Sequence, residues 1–139
     1  MSCDYGVWYS EAPLTNEEAA KIYLALCEQW PFLEGENGAV RAFYGELTST
    51  WPEIDTVPDE KIDDHEYSPW SCAISHSGMA VLTACVWSMA SNVGSFIQAL
   101  ATKHKLVFYD PQSRRLILPE HLRATNGKKG HWLGRFFGL

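Results

Sequence analysis

The stretch Met79 to Trp87 (MAVLTACVW) is apolar at nearly every position. It is far too short to cross a bilayer, which takes about 20 residues. Apolar on both faces, it predicts the central strand of a sheet. Upstream, Trp70 to Ser75 alternates weakly, and His76-Ser77-Gly78 between the two runs fits a tight hairpin turn.

Other elements take shape around that strand. Tyr5-Gly6-Val7-Trp8-Tyr9 is aromatic and β-branched, predicting a first strand. Thr15 and Glu18 form a capping box. Behind it Ala19, Ile22, Tyr23, Leu26, Cys27 and Trp30 recur at helical spacing until Pro31. Val40, Phe43, Tyr44 and Leu47 mark a second amphipathic helix, closed by Trp51-Pro52. Ser88 or Ser91 caps a third, with Val93, Phe96, Ile97, Leu100 and Ala101 facing the core. Leu106 to Tyr109 is a short buried strand ended by the turn Asp110-Pro111, and Arg115 to Leu118 returns as an edge strand. The expected fold is α+β: an antiparallel sheet of four to five strands in the order β-α-α-β-β-α-β(-β). Its connectivity is a ferredoxin-like split βαβ, with the helices packed on one face.

A chain of 139 residues, 46% of them hydrophobic, suits one domain with its own core. Its charge is unevenly spread. Residues 1–122 hold 7 Lys and Arg against 17 acids, and form the expected domain. Residues 123–139 hold Arg123, Lys128, Lys129 and Arg135 with no acid, interleaved with aromatics, and read as a C-terminal tail. The net charge of −6 opposes a general nucleic-acid role. Cys3, Cys27, Cys72 and Cys85 follow neither a disulfide nor a zinc spacing. Cys27, Cys72 and Cys85 sit in apolar runs and are expected to be small buried hydrophobes. With no secretory leader in evidence, a cytoplasmic protein is expected.

Residues 53–69 carry Glu53, Asp55, Asp59, Glu60, Asp63, Asp64 and Glu66 around a single lysine, between Trp51 and Trp70. The calcium-loop rhythm of ligands around a central glycine is missing, so no metal is expected. His65 beside Asp63, Asp64 and Glu66 reads first as a solvated acidic loop. Cys85 and Ser88 lack a nucleophile elbow, and Gly35, Gly38 and Gly45 are too scattered to cradle a phosphate. Neither a catalytic residue nor a cofactor is expected. An acidic loop bracketed by tryptophans suits a protein interface, with aromatic anchors and a charged rim. The candidate partner-binding residues are Trp51, Asp55, Asp59, Glu60, Asp63, Asp64, Glu66 and Trp70. The alternative is a small ligand-binding domain or enzyme with a pocket between sheet and helices, using His65, His76 and Asp110.

Three strings carry a resemblance: Met1-Ser2-x-Asp4-x-x-Val7-Trp8, Val86-Trp87-Ser88, and Ala101-x-Lys103-His104-x-Leu106-Val107-Phe108-Tyr109-Asp110-Pro111-Gln112. Over about residues 1–119 the chain resembles a group of small bacterial proteins, some of which look like immunity proteins encoded beside polymorphic toxins of contact-dependent or type VI secretion systems. The resemblance implies a protein that binds a cognate toxin domain and blocks it. It implies no catalytic residues.

Overall fold

The computed structural model describes residues 2–123. Its strands are β1 (Ser2–Trp8), β2 (Ser75–His76), β3 (Ala80–Val86), β4 (Val107–Asp110) and β5 (Arg115–Ile117). They form one antiparallel sheet in the order β2-β3-β1-β4-β5. The predicted central strand, β3, lies between β2 and β1, and β4 flanks β1 on its other side. This is the split arrangement expected for an α+β sheet of this connectivity.

The main helices are α1 (Asn16–Glu28), α2 (Gly38–Thr50) and α3 (Ala90–Lys103), followed by a single turn, α4 (Glu120–Arg123). α1 starts on the predicted capping box: Thr15 Oγ1 accepts from Glu18 N–H, and the Glu18 carboxylate accepts from Thr15 N–H. α2 starts on Asn37, whose side chain accepts from Ala39 and Val40 N–H. α3 differs from expectation. Neither Ser88 nor Ser91 caps it; Trp87–Met89 form a 3-10 turn that runs directly into the helix.

The helices do not share one face of the sheet, as the sequence suggested. Strand alternation separates two cores. On one face Cys3, Tyr5 and Val7 of β1 pack with Phe43 and Leu47 of α2 and Val93 and Ile97 of α3. On the other, Trp8 packs with Ala19, Ile22 and Leu26 of α1. The reason is visible in β1, β3 and β4, which carry apolar side chains on both sides and so need cover on both. Gly6 makes room on the α1 face, where a Cβ would stand 2.9 Å from the Tyr23 ring.

Cys27 and Trp30 were expected in the α1 core face, but Cys27 is exposed and Trp30 lies beyond the helix end, partly exposed. At 100° per residue, Cys27 falls about 140° from Ile22. Cys72 is also exposed, on the detour between Trp70 and Ser75, whereas Cys3 and Cys85 are buried opposite each other on β1 and β3; all four thiols are free. That detour shortens the expected Trp70–Ser75 strand to two residues plus a bridge from Trp70 to Cys85. It still serves the edge of β3, because Ser71 N–H donates to Ala84 O and Val86 N–H to Pro69 O.

The Asp110-Pro111-Gln112 turn has a defined task. Asp110 Oδ1 accepts from Gln112 N–H at 3.0 Å, and the Gln112 amide then pairs with both backbone groups of Asp4, each at 2.7 Å. β4 ends opposite Tyr5, so Gln112 stands in for the next strand residue. Apart from Arg123, the basic tail 123–139 lies outside the described residues.

Candidate partner-binding loop

The loop between α2 and β2 is tied down at both ends on the α2/α3 face of the sheet. Trp51, half-buried, packs edge-on against Trp70 with centroids 6.0 Å apart and against Phe96 at 5.0 Å. Trp70 Nε1–H donates to Trp51 O at 3.1 Å, and Ser68 Oγ–H to Pro52 O at 2.8 Å. Trp70 is only 1% exposed. It is a core residue, closed to a partner, and this corrects its expected place as a surface anchor. Its own bridge to Cys85 of β3 and the Trp51 ring packed edge-on against it hold the indole inside the core.

Glu53 makes a second tie. Its carboxylate accepts from Tyr44 OH at 2.7 Å and from Ile74 N–H at 3.1 Å. The Tyr44 ring in turn stacks on His76 with centroids 3.9 Å apart. Burial, with the neighbouring Glu53 carboxylate, pushes the Tyr44 phenol up to about 12. It therefore stays a donor across ordinary pH.

Between these ties the chain turns twice, through 3-10 segments at Ile54–Thr56 and Asp59–Lys61. Asp64 closes the far end, its Oδ1 accepting from Glu66 N–H at 3.1 Å and Tyr67 N–H at 3.3 Å. Asp55, Asp59, Glu60, Asp63, Asp64 and Glu66 are all exposed. None of them forms an ion pair with a cation among the described residues. The loop's one lysine, Lys61, places its ammonium 5.6 Å from the Tyr67 ring centre.

The residue that sequence reasoning missed is Ile62, 49% exposed in the middle of the carboxylates. Its signal was present: it is apolar inside an acidic run and belongs to no periodic face. With Trp70 in the core and Trp51 half-buried, Ile62 is the apolar group the loop offers outward.

The alternative set, His65, His76 and Asp110, is not brought together. His76 is on β2 and Asp110 on β4, three strands across, hence about 14 Å apart from the sheet spacing alone. His65 is exposed on the acidic loop. Apolar side chains fill most of the space between sheet and helices, and the cleft that does open between α1 and Tyr109 of β4 is lined by none of these three residues. Among the described residues, no three His, Cys, Asp or Glu side chains converge as a metal-ligand set, and no helix is long and apolar enough to cross a membrane.

The fold and the loop together define a class: an α+β domain that holds an acidic loop out from one end of its sheet. Searches against protein-family models, curated proteins and solved structures find no match for this chain.

Proposed function

We propose that this chain is an immunity-type binding protein whose loop 53–66 covers the basic active-site surface of a cognate toxin domain and blocks it. One observation carries the reading: six exposed carboxylates with no ion pair among the described residues surround an exposed isoleucine on a loop fixed at both ends. Fixed ends lower the ordering entropy lost on binding. Unpaired carboxylates steer a basic partner, and a central apolar side chain supplies a desolvated anchor. The resemblance of residues 1–119 to immunity proteins points the same way.

The test is co-expression with the product of the neighbouring gene, followed by association kinetics. The wild type relieves toxicity and forms a complex on size exclusion. Glu60→Lys with Asp63→Lys slows association by about tenfold and flattens its salt dependence, while Ile62→Ala speeds dissociation. Equal toxicity with and without this protein, and no complex, sinks the proposal.

A further inference from the structure

The α1 face of the sheet is covered only in part. Five strands spaced about 4.8 Å apart are about 19 Å across from first to last, and one helix is about 10 Å wide. α1 packs on β4 and β5, with Tyr23 over Gly6 of β1. Beside it a cleft of about 440 Å³ runs between Ala20 and Leu24 of α1 and the floor residue Tyr109. The floor continues in register from there. Tyr109 pairs with Gly6, Asp4 is the next residue of β1 on this face, and Asp4 pairs with Ala84, which Leu82 and Val86 flank on β3. Asp4, Leu82, Ala84 and Val86 are each only half-buried, and Leu24 is 55% exposed. The Asp4 carboxylate stands in this apolar strip with no ion pair among the described residues. The result is a slot about one helix wide, with an apolar strip on β3 and a single acid, Asp4, beside it in the floor, while Asn16, Glu17, Lys21 and Arg114 line its α1 end.

We propose that residues 124–139 of this same chain dock into the slot, laying aromatic side chains on Leu82, Ala84 and Val86 and bringing a basic group to Asp4. The chain leaves the domain on the correct face: Arg123 Nε–H donates to Leu118 O at 2.7 Å, and Arg123 lines a surface hollow with Leu14, Thr15 and Leu116 at the start of α1. The slot floor on β3 lies three strands from β5, about 14 Å. The path must also pass the start of α1, which packs on β4 and β5, and the sixteen residues 124–139, at about 3.3 Å each, are long enough for that detour. The segment's chemistry matches as well. Trp132, Leu133, Phe136, Phe137 and Leu139 supply apolar surface, and Lys128, Lys129 and Arg135 supply cations without any acid. This surface lies on the opposite face from the root of the acidic loop, so the docking is independent of the partner-binding reading.

Trypsin digestion of the full chain tests it, because three of its cleavage sites are Lys128, Lys129 and Arg135. Docking predicts that these sites are cut about tenfold more slowly in the wild type than in Ala84→Trp, which fills the slot, since a protected segment is cleaved only when it opens. Asp4→Asn, which leaves the apolar floor intact and guards against misfolding of the larger variant, gives an increase of about threefold that vanishes in high salt. Circular dichroism confirms that the fold is retained. Four outcomes overturn the proposal. The wild-type sites are cut as fast as those of a free peptide 124–139. Neither variant changes the rate. Protection rises with protein concentration, which assigns the slot to the segment of a second copy. Or Asp63→Asn releases the segment while Asp4→Asn does not, which places it on the acidic loop.

Discussion

The two faces of the sheet solve the same packing problem with the roles reversed. On the α2/α3 face the strand gives the tyrosine and the helix the glycine: Tyr5 of β1 reaches over Gly94 of α3, and its OH donates to Ala90 O at 2.9 Å. On the α1 face the strand gives the glycine and the helix the tyrosine, Tyr23 lying across Gly6. In both places a ring occupies the space a Cβ would take, so helix and sheet approach closely. Burial raises both phenols above their ordinary range, and both remain protonated. Both rings pack on an aromatic neighbour with centroids 5.6 Å apart, Tyr5 on Phe108 and Tyr23 on Tyr109. The difference is burial: Tyr5 is buried, whereas Tyr23 is half-buried beside Cys27 at the margin of the slot. One face is closed, and the acidic loop is rooted there. The other is partly open beside α1.

The largest expected effects come from Trp70 and Trp8, the one wholly buried tryptophan on each face among the described residues. Trp70→Ala and Trp8→Ala should each destabilise the domain by about 3–5 kcal/mol, measured by urea unfolding. The contrast between faces then appears in the phenylalanine variants. Trp70 Nε1–H is bonded to Trp51 O, while Trp8 Nε1–H has no partner among the described residues. Trp70→Phe should therefore be more destabilising than Trp8→Phe by about 1 kcal/mol, because it breaks a hydrogen bond where Trp8→Phe removes a buried N–H that has no partner among the described residues. Equal values would show that the tie between Trp51 and Trp70 is not what holds the loop ends. Trp70→Ala should also weaken partner binding, since the carboxylates would lose their fixed base.

Next come the glycines. In Gly94→Ala the new methyl would meet Tyr5 Oη at 2.6 Å and Cζ at 2.9 Å. In Gly6→Ala it would meet Tyr23 Cδ1 at 2.9 Å. Tyr5 cannot move without losing its bond to Ala90, so Gly94→Ala should destabilise by about 2 kcal/mol despite the gain in helix propensity. Tyr23 can swing toward the slot, which holds Gly6→Ala to about 1 kcal/mol. Tyr5→Phe in the Gly94→Ala background should recover part of the loss, and Tyr23→Phe in the Gly6→Ala background should recover none. If Gly6→Ala proves the more damaging, the α1 face is the tighter one and the comparison is reversed.

The parts of this fold legible in the sequence are those where one local signal suffices. The Thr15–Glu18 box, the apolar face of α2 and the Asp110-Pro111 turn each declare themselves over a few residues. The distribution of helices between the faces was not read, although the hint was there: Met79 to Trp87 is apolar on both sides, which already demands two covers. Trp70 was misplaced because an indole serves equally as core or as surface anchor, and only its bridge to Cys85 and its packing against Trp51 decide which. Ile62 was passed over for the opposite reason, since a lone aliphatic residue in an acidic run gives no periodic signal. The Asp4–Gln112 pairing spans 108 positions and has no sequence signature at all.

The smallest effect concerns the ion pairs, and it extends the comparison from packing to charge. On the closed face Glu46 of α2 joins two elements: it accepts from Lys103 Nζ at 2.9 Å and meets His104 Nε2 at 2.8 Å, both at the end of α3. On the α1 face the counterpart is Glu17–Lys21, at 3.8 Å within a single helix. Lys103 first, then His104, hold the Glu46 carboxyl below its ordinary value of 4.5. A carboxyl depressed in the folded state adds stability above its unfolded value, and that stability drains as the pH falls through the folded value. The wild type should therefore lose melting temperature on acidification below 4.5 more steeply than Glu46→Gln, whose amide cannot titrate. At neutral pH Glu46→Gln should melt slightly below the wild type, and Glu17→Gln should not be distinguishable from it, because an exposed pair within one helix contributes little. Parallel acid limbs for wild type and Glu46→Gln would mean that the α2–α3 contact is held by Phe43, Leu47 and Val93 alone, leaving the closed face closed by packing without help from charge.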